Sequence, residues 1–234
     1  TELITNVSHD IKTPLTSIVN YVDLLQKPHS PEEQVEYLEV LARQSGRLKR
    51  LTEDLVDASK ATAGAVEVNA ATRDLCELLR QAVGEYGERL EKARLDVLIQ
   101  TPGNPVWARV DGRLLWRAMD NLLNNASKYA MPGTRLYCQA AVEAGQAVLR
   151  FKNISRDPLN ISADELMERF VRGDSSRSTE GSGLGLNIAR SLTELQGGRL
   201  LLTVDGDLFK AELHFPATAA PPPSADTPQP SAVH

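Results

Sequence analysis

The chain has 234 residues, 41% of them hydrophobic, which is enough for one large or two small domains with a real core. Its 26 basic and 31 acidic residues give a formal charge of −5, and no basic patch stands out, which argues against a nucleic-acid footprint. Cys76 and Cys138 lie far apart and form no C-x-x-C pair, as expected of two reduced thiols rather than a metal or redox site. There is no run of about 18 apolar residues and no signal peptide. The sequence opens at Thr1 without a methionine and already inside a helical repeat, so a fragment whose upstream part is missing is expected.

A first helix is predicted from about Glu2 to Gln26. Ile4, Ile11, Ile18 and Leu25 recur every seven residues, with Leu15 and Val22 widening the stripe into a packing seam. His9 lies about 140° around the helix from Ile4 and so points away from the seam. Thr13 shares its face one turn on, and Asp10 is its neighbour. By itself His9 reads equally as a solvated polar residue of an amphipathic helix. The adjoining carboxylate, able to orient the imidazole, favours a functional role. So does Pro14, which removes the hydrogen bond to the Asp10 carbonyl and bends the helix beside the His-Asp pair.

The turn-rich Lys27-Pro28-His29-Ser30-Pro31 ends this helix, and the same segment begins another. Ser30 is its cap, Pro31 its first position, and Glu32 and Glu33 lie in its first turn. The second helix runs to about Ala61, with Leu41, Leu48 and Leu55 spaced by seven and Leu38 and Leu51 beside them. Such a helical hairpin carries more apolar surface than two helices can hide, so pairing of two hairpins into a homodimeric four-helix bundle is expected.

From Ala63-Gly64-Ala65 the pattern changes, dividing a hairpin over 1–64 from a second domain over 65–215. There a short strand (Val66 to Asn69) precedes a helix from about Thr72. Strands are predicted at 95–100, 106–110, 135–143 and 148–153, with a helix from about Asp111 to Tyr129 between the second and third. A helix over 162–170 opens with Ser162 and Glu165 at capping-box spacing, and another over 184–196 follows a glycine-rich loop. Strands at 199–204 and 208–215 close the domain. Strand pairs separated by helices predict an α+β sandwich, with helices on one face of a mixed sheet. Residues 216–234 are proline-rich without apolar periodicity, a composition expected to be disordered.

Two further clusters carry chemistry. Asn121, Asn125 and Lys128 are spaced four and three apart, one polar face of a helix whose other side bears Leu115, Met119, Leu122 and Ala126. Amide oxygens suit a hard cation such as Mg²⁺ and a lysine suits phosphate, although a merely solvated face has the same pattern. In Glu180-Gly181-Ser182-Gly183-Leu184-Gly185-Leu186-Asn187, glycines ahead of a helix let backbone amides approach a polyphosphate, where a simple tight turn is the alternative. The spacing is neither a dinucleotide fingerprint nor a Walker loop. The polar stretch Val171 to Thr179, with Arg172 and Arg177, has the character of a lid over phosphates.

Together S-H-D-I-K-T-P, N-L-L-N-N-A-S-K-Y, M-E-R-F-V-R-G and G-S-G-L-G-L-N-I-A resemble the H, N, F and G2 boxes of bacterial sensor histidine kinases, over essentially residues 1 to 215. The resemblance implies a dimerisation and phosphotransfer hairpin followed by a Bergerat-type ATP-binding fold of the GHKL superfamily. It implies that His9 is phosphorylated, that Asp10 is its acid/base partner, and that Thr13 positions water for dephosphorylating the partner. Asn125 would ligate Mg²⁺, Asn121, Lys128 and Tyr129 would line ATP, and Gly181, Gly183 and Gly185, with Leu184 between them, would form the phosphate loop. It further implies a response-regulator receiver domain as partner and a cytoplasmic fragment of a membrane-anchored sensor. One motif departs from the pattern: the family's Asp-x-Gly-x-Gly box is replaced by Asn153-Ile154-Ser155-Arg156-Asp157, with Asn153 where the adenine-binding aspartate is expected and Asp157 as a lesser substitute. A GHKL ATPase without phosphohistidine, and a dimeric scaffold with a decayed nucleotide site, are the rival readings.

Overall fold

The computed structural model describes residues 2–62, 67–159 and 185–221. Helices α1 (Glu2–Leu25) and α2 (Pro31–Thr62) pack side by side as the expected hairpin. Ser30 starts α2 with a reciprocal cap: its amide donates to Glu33 Oε2 (2.7 Å) and its Oγ accepts from the Glu33 amide (3.2 Å). Tyr21 and Tyr37 meet edge-on across the helices, with ring centroids 5.6 Å apart, and His29 lies against Tyr37 at the turn. The seam between the helices is narrower than predicted. Ile11, Ile18 and Leu25 are partly covered and Pro14 is buried, but Leu15 and Val22 join Val19 on the outer face of α1.

The rest is a sandwich. Strand β1 (Ala71–Asp74) leads into α3 (Leu75–Glu85) and α4 (Gly87–Lys92), followed by β2 (Asp96–Gln100) and β3 (Trp107–Val110). Next come α5 (Gly112–Tyr129), β4 (Arg135–Glu143), β5 (Gln146–Ile154), α6 (Gly185–Glu194), β6 (Arg199–Asp205) and β7 (Leu208–Pro216). Five strands form a mixed sheet in the order β2-β4-β5-β7-β6, parallel only between β2 and β4, and β1 and β3 pair as a separate antiparallel ribbon. The first strand lies later than expected: Glu67 to Asn69 are not strand, and Ala71–Asp74 pairs β3 instead. Consequently the helix predicted from Thr72 begins at Leu75. Asp74 is its N-cap, accepting from the Cys76 amide (2.9 Å) and, across the ribbon, from the Val106 amide (3.2 Å). The helix predicted over 162–170 lies outside the described residues.

Strict alternation along the strands turns one face of the sheet to the helices. Ala147, Leu149 and Phe151 of β5 and Ala211, Leu213 and Phe215 of β7 point inward and are buried, against Leu75 and Leu79 of α3, Leu115, Met119 and Leu123 of α5, and Ile188 of α6. Burying each large side chain contributes roughly 1.5–3 kcal/mol, which makes this layer the main source of stability. On the other face Arg150 bridges Glu143 and Glu212, and Lys210 joins the same Glu212. Helix α2 also packs against α6, and Ile11 touches the sandwich core.

Candidate nucleotide site

Helix α5 begins at Asp111, a buried cap whose carboxylate accepts from the amides of Arg113 (2.9 Å), Leu114 (3.3 Å) and Asn69 (2.9 Å). Gln196, just beyond α6, accepts from the Asp111 amide (2.9 Å) and so ties the start of α5 to the end of α6. That anchoring orients the polar residues further along α5, which divide between two sides. Asp120 and Asn124 serve the corner of α3 and α4. The Tyr86 hydroxyl donates to Asp120 Oδ1 (2.6 Å) and Arg89 donates to Asn124 Oδ1 (2.7 Å) while stacking on the Tyr86 ring (4.9 Å). Burial, and after it the Asp120 carboxylate, push the Tyr86 hydroxyl well above its ordinary range, which keeps it a donor.

Asn121 and Asn125 look the other way. The Asn121 side-chain nitrogen donates to the Arg117 carbonyl (2.9 Å), and its oxygen lies so close to Gly185 that a Cβ there would come within 3.0 Å of it. The first residue of α6 is therefore held against α5 by the absence of a side chain. One turn on, Asn125 and Tyr129 line a cavity of about 110 Å³. Its opposite wall is Asn153 at the end of β5 and Ser155 and Asp157 just beyond it, closed by Leu159 and by Phe209 of β7.

Two backbone bonds hold the two walls together. The Met131 amide donates to the Ile154 carbonyl (2.8 Å) and the Arg156 amide to the Tyr129 carbonyl (2.8 Å), with Ala130 bridging Ser155. The Ser155 amide donates to the Asp207 carbonyl (2.7 Å), in the β6–β7 turn where Gly206 takes a positive φ of 56°. Asn153 is 6% exposed, and its side-chain nitrogen donates to the Ile154 carbonyl (3.2 Å). Its amide oxygen is left as the acceptor, where a carboxylate was expected.

Thus Asn125, Tyr129 and Asn153 come together in one cavity, Asn121 and Gly185 meet beside it, and Lys128 stands half-buried in the last turn of α5. His9 and Asp10 lie in the helical backbone of α1, and Thr13 is exposed one turn further on. Arg172, Arg177, Gly181, Gly183 and Leu184 lie outside the described residues. Ser155, Leu159 and Phe209 were not anticipated. Strand alternation from Asn153 would have indicated Ser155, whereas Phe209 arrives only through its pairing with Asn153 across β5 and β7. Among the described residues no group of three or more His, Cys, Asp or Glu could cage a metal ion. The amide oxygen of Asn125 is a donor of the kind that Mg²⁺ accepts.

The sandwich, with its cavity between a helix and the end of a central strand, has its class in the family described as histidine kinase-, DNA gyrase B- and HSP90-like ATPase, whose model matches residues 110–219. The hairpin, residues 1–64, matches the His Kinase A (phospho-acceptor) domain. The chain therefore belongs to the histidine kinases. Sensor protein VanSC of Enterococcus gallinarum is 31% identical over 201 residues, 84% of this chain and 55% of that protein. Sensor histidine kinase YcbM of Bacillus subtilis (strain 168) is 27% identical over 84% of this chain and 64% of its own length. The chain thus spans between half and two thirds of these relatives. In fold it is similar to the Acinetobacter baumannii histidine kinase AdeS, with a TM-score of 0.74 at 19% identity over 90% of this chain and 98% of that one. It is also similar to histidine kinase ThkA in complex with the response regulator TrrA (TM-score 0.72, 18% identity, 93% and 62% covered). Full-length ShkA in complex with AMPPNP gives a TM-score of 0.68 at 21% identity, with 95% and 47% covered. Among the described residues no helix is long and apolar enough to cross a membrane.

Proposed function

We propose that this chain is the phosphotransfer and ATP-binding part of a two-component sensor. It autophosphorylates His9 from Mg-ATP and passes the phosphoryl group to an aspartate of a response-regulator receiver domain. The observation that carries the reading is the cavity uniting Asn125 and Tyr129 with Asn153 behind a hairpin that bears the His9-Asp10 pair. The AMPPNP bound to ShkA and the regulator bound to ThkA support the same assignment. In this reading residues 1–64 are the dimerisation and phosphotransfer hairpin, 65–215 the catalytic domain and 216–234 a tail. A segment upstream attaches the whole to a membrane.

The neutral imidazole of His9 attacks the γ-phosphorus, so that an N–P bond forms as the P–O bond to ADP breaks. Asp10 takes a hydrogen bond from the other ring nitrogen, fixing the tautomer and stabilising the positive charge that develops on the ring. Little covalent work is asked of the protein beyond positioning and charge neutralisation. Bound Mg²⁺ would neutralise phosphate charge, held by Asn125. Asn121, Lys128 and Tyr129 line the nucleotide, and Gly181, Gly183, Leu184 and Gly185, together with Arg172 and Arg177, hold the phosphates. Thr13 orients water when the phosphorylated regulator is hydrolysed. Incubation with γ-labelled ATP should give acid-labile, base-stable label that maps to His9. His9→Gln should lose it while still binding ATP, and label persisting in that variant would refute the assignment.

A further inference from the structure

The deep part of the cavity is formed by one strand. Asn153 and Ser155 are alternate residues, so their side chains leave the same face about 6.6 Å apart. They are 6% and 7% exposed respectively, whereas the Asp157 carboxylate at the rim is 70% exposed. The backbone of Ser155 is held from two directions, by the Asp207 carbonyl on one side and the bridge to Ala130 on the other. Its side chain is therefore aimed by backbone pairing on both flanks.

The chemistry of this pair is directional. One N–H of the Asn153 amide is spent on the Ile154 carbonyl, and its oxygen is a free-standing acceptor that a base donor can meet. Adenine offers its 6-amino group, and the ring atom next to that group, N1, is an acceptor that asks for a donor in turn. A hydroxyl supplies one. Guanine presents the opposite order, an oxygen at position 6 beside an N–H at position 1. It would set its oxygen against the Asn153 oxygen and leave buried polar atoms unpaired.

We propose that Ser155 is a specificity-determining residue for the nucleobase, donating its hydroxyl to adenine N1 while the Asn153 amide oxygen accepts from the 6-amino group. The assignment rests on the cavity being the nucleotide site. It is tested by titrating the purified chain, wild type and Ser155→Ala, with ATP and with 1-deaza-ATP, in which N1 is a C–H. Each change alone should weaken binding about tenfold, and the two together no further than either one. In turnover Ser155→Ala should raise KM for ATP with kcat unchanged. Ser155→Thr, which keeps the hydroxyl, should retain the sensitivity to loss of N1, and serves in place of the alanine variant if that one fails to fold. Losses that multiply in Ser155→Ala, or indifference of Ser155→Thr to 1-deaza-ATP, would overturn the role of Ser155 and leave the nucleotide site standing. If the wild type binds neither nucleotide, the reading of the cavity fails and this assignment with it.

Discussion

At Asp111 a single carboxylate caps a helix, receives a loop and lies under the end of another helix. Burial by itself would raise its pKa, but the amides of Asn69, Leu114 and Arg113, together with the Arg113 charge, outweigh that and hold it below the usual carboxylate range. A lowered folded pKa means that the stabilisation is fully present above the unfolded value near 4 and is lost as pH falls through the folded value. Asp111→Ala should therefore cost about 1–2 kcal/mol at neutral pH in chemical denaturation. The gap between variant and wild type should close as the pH falls below about 4. The Asn153 amide differs in kind, since its side-chain nitrogen donates to the Ile154 carbonyl and the group does not titrate. Both positions were visible from the chain alone: Asp111 at the start of an apolar-periodic helix, Asn153 at the end of a strand. Ser155 lies past the end of the predicted strand, and only the bridge to Ala130 extends the strand alternation to it.

The elements meet most tightly where α6 turns into β6. The Gly197 amide donates to the Glu194 carbonyl (2.9 Å) and the Gly198 amide to the Thr193 carbonyl (3.0 Å), closing the helix end, and Gly197 takes a φ of 74°. A Cβ on Gly198 would lie 2.6 Å from both the His214 carbonyl and the Phe215 ring. The carbonyl belongs to a central strand and the ring to the core, so neither gives way cheaply. Gly198→Ala should lower stability by about 1–3 kcal/mol in thermal or chemical unfolding. Wild-type stability in that variant would mean that β7 shifts freely. Sequence spacing located these two glycines at a helix end without revealing which needs freedom of φ and which needs empty space.

At the scale of the whole molecule the hairpin stands out, because its outer face is apolar. Leu15, Val19 and Val22 on α1 and Val35 and Leu38 on α2 are 40 to 58% exposed in a single chain, large apolar side chains that a lone hairpin leaves to water. In the proposed homodimer these residues meet their counterparts. Since each substitution acts twice in a symmetric interface, Val19→Glu with Leu38→Glu should raise the dimer dissociation constant by about a hundredfold or more. Sedimentation would measure this, with helical content unchanged. A variant that remains fully dimeric would show that the interface lies elsewhere.

Local features of this protein were readable from its chain: the Ser30 cap with its first-turn acids, the heptad leucines, the asparagine face of α5 and the helix-sheet alternation. Each depends on groups within a turn or two of one another, whose geometry follows directly from the period of helix or strand. What folding alone decided is non-local. The strand before α3 settled on Ala71–Asp74 because Asp74 finds the Val106 amide across the ribbon. The outer wall of the cavity exists because β5 pairs β7 in the register that sets Phe209 opposite Asn153. The division of α5 between Asp120 and Asn124 on one side and Asn121 and Asn125 on the other depends on which elements pack against each side. Register and side-chain partners across strands come from the packing of distant segments, and no window of sequence contains both members of such a pair.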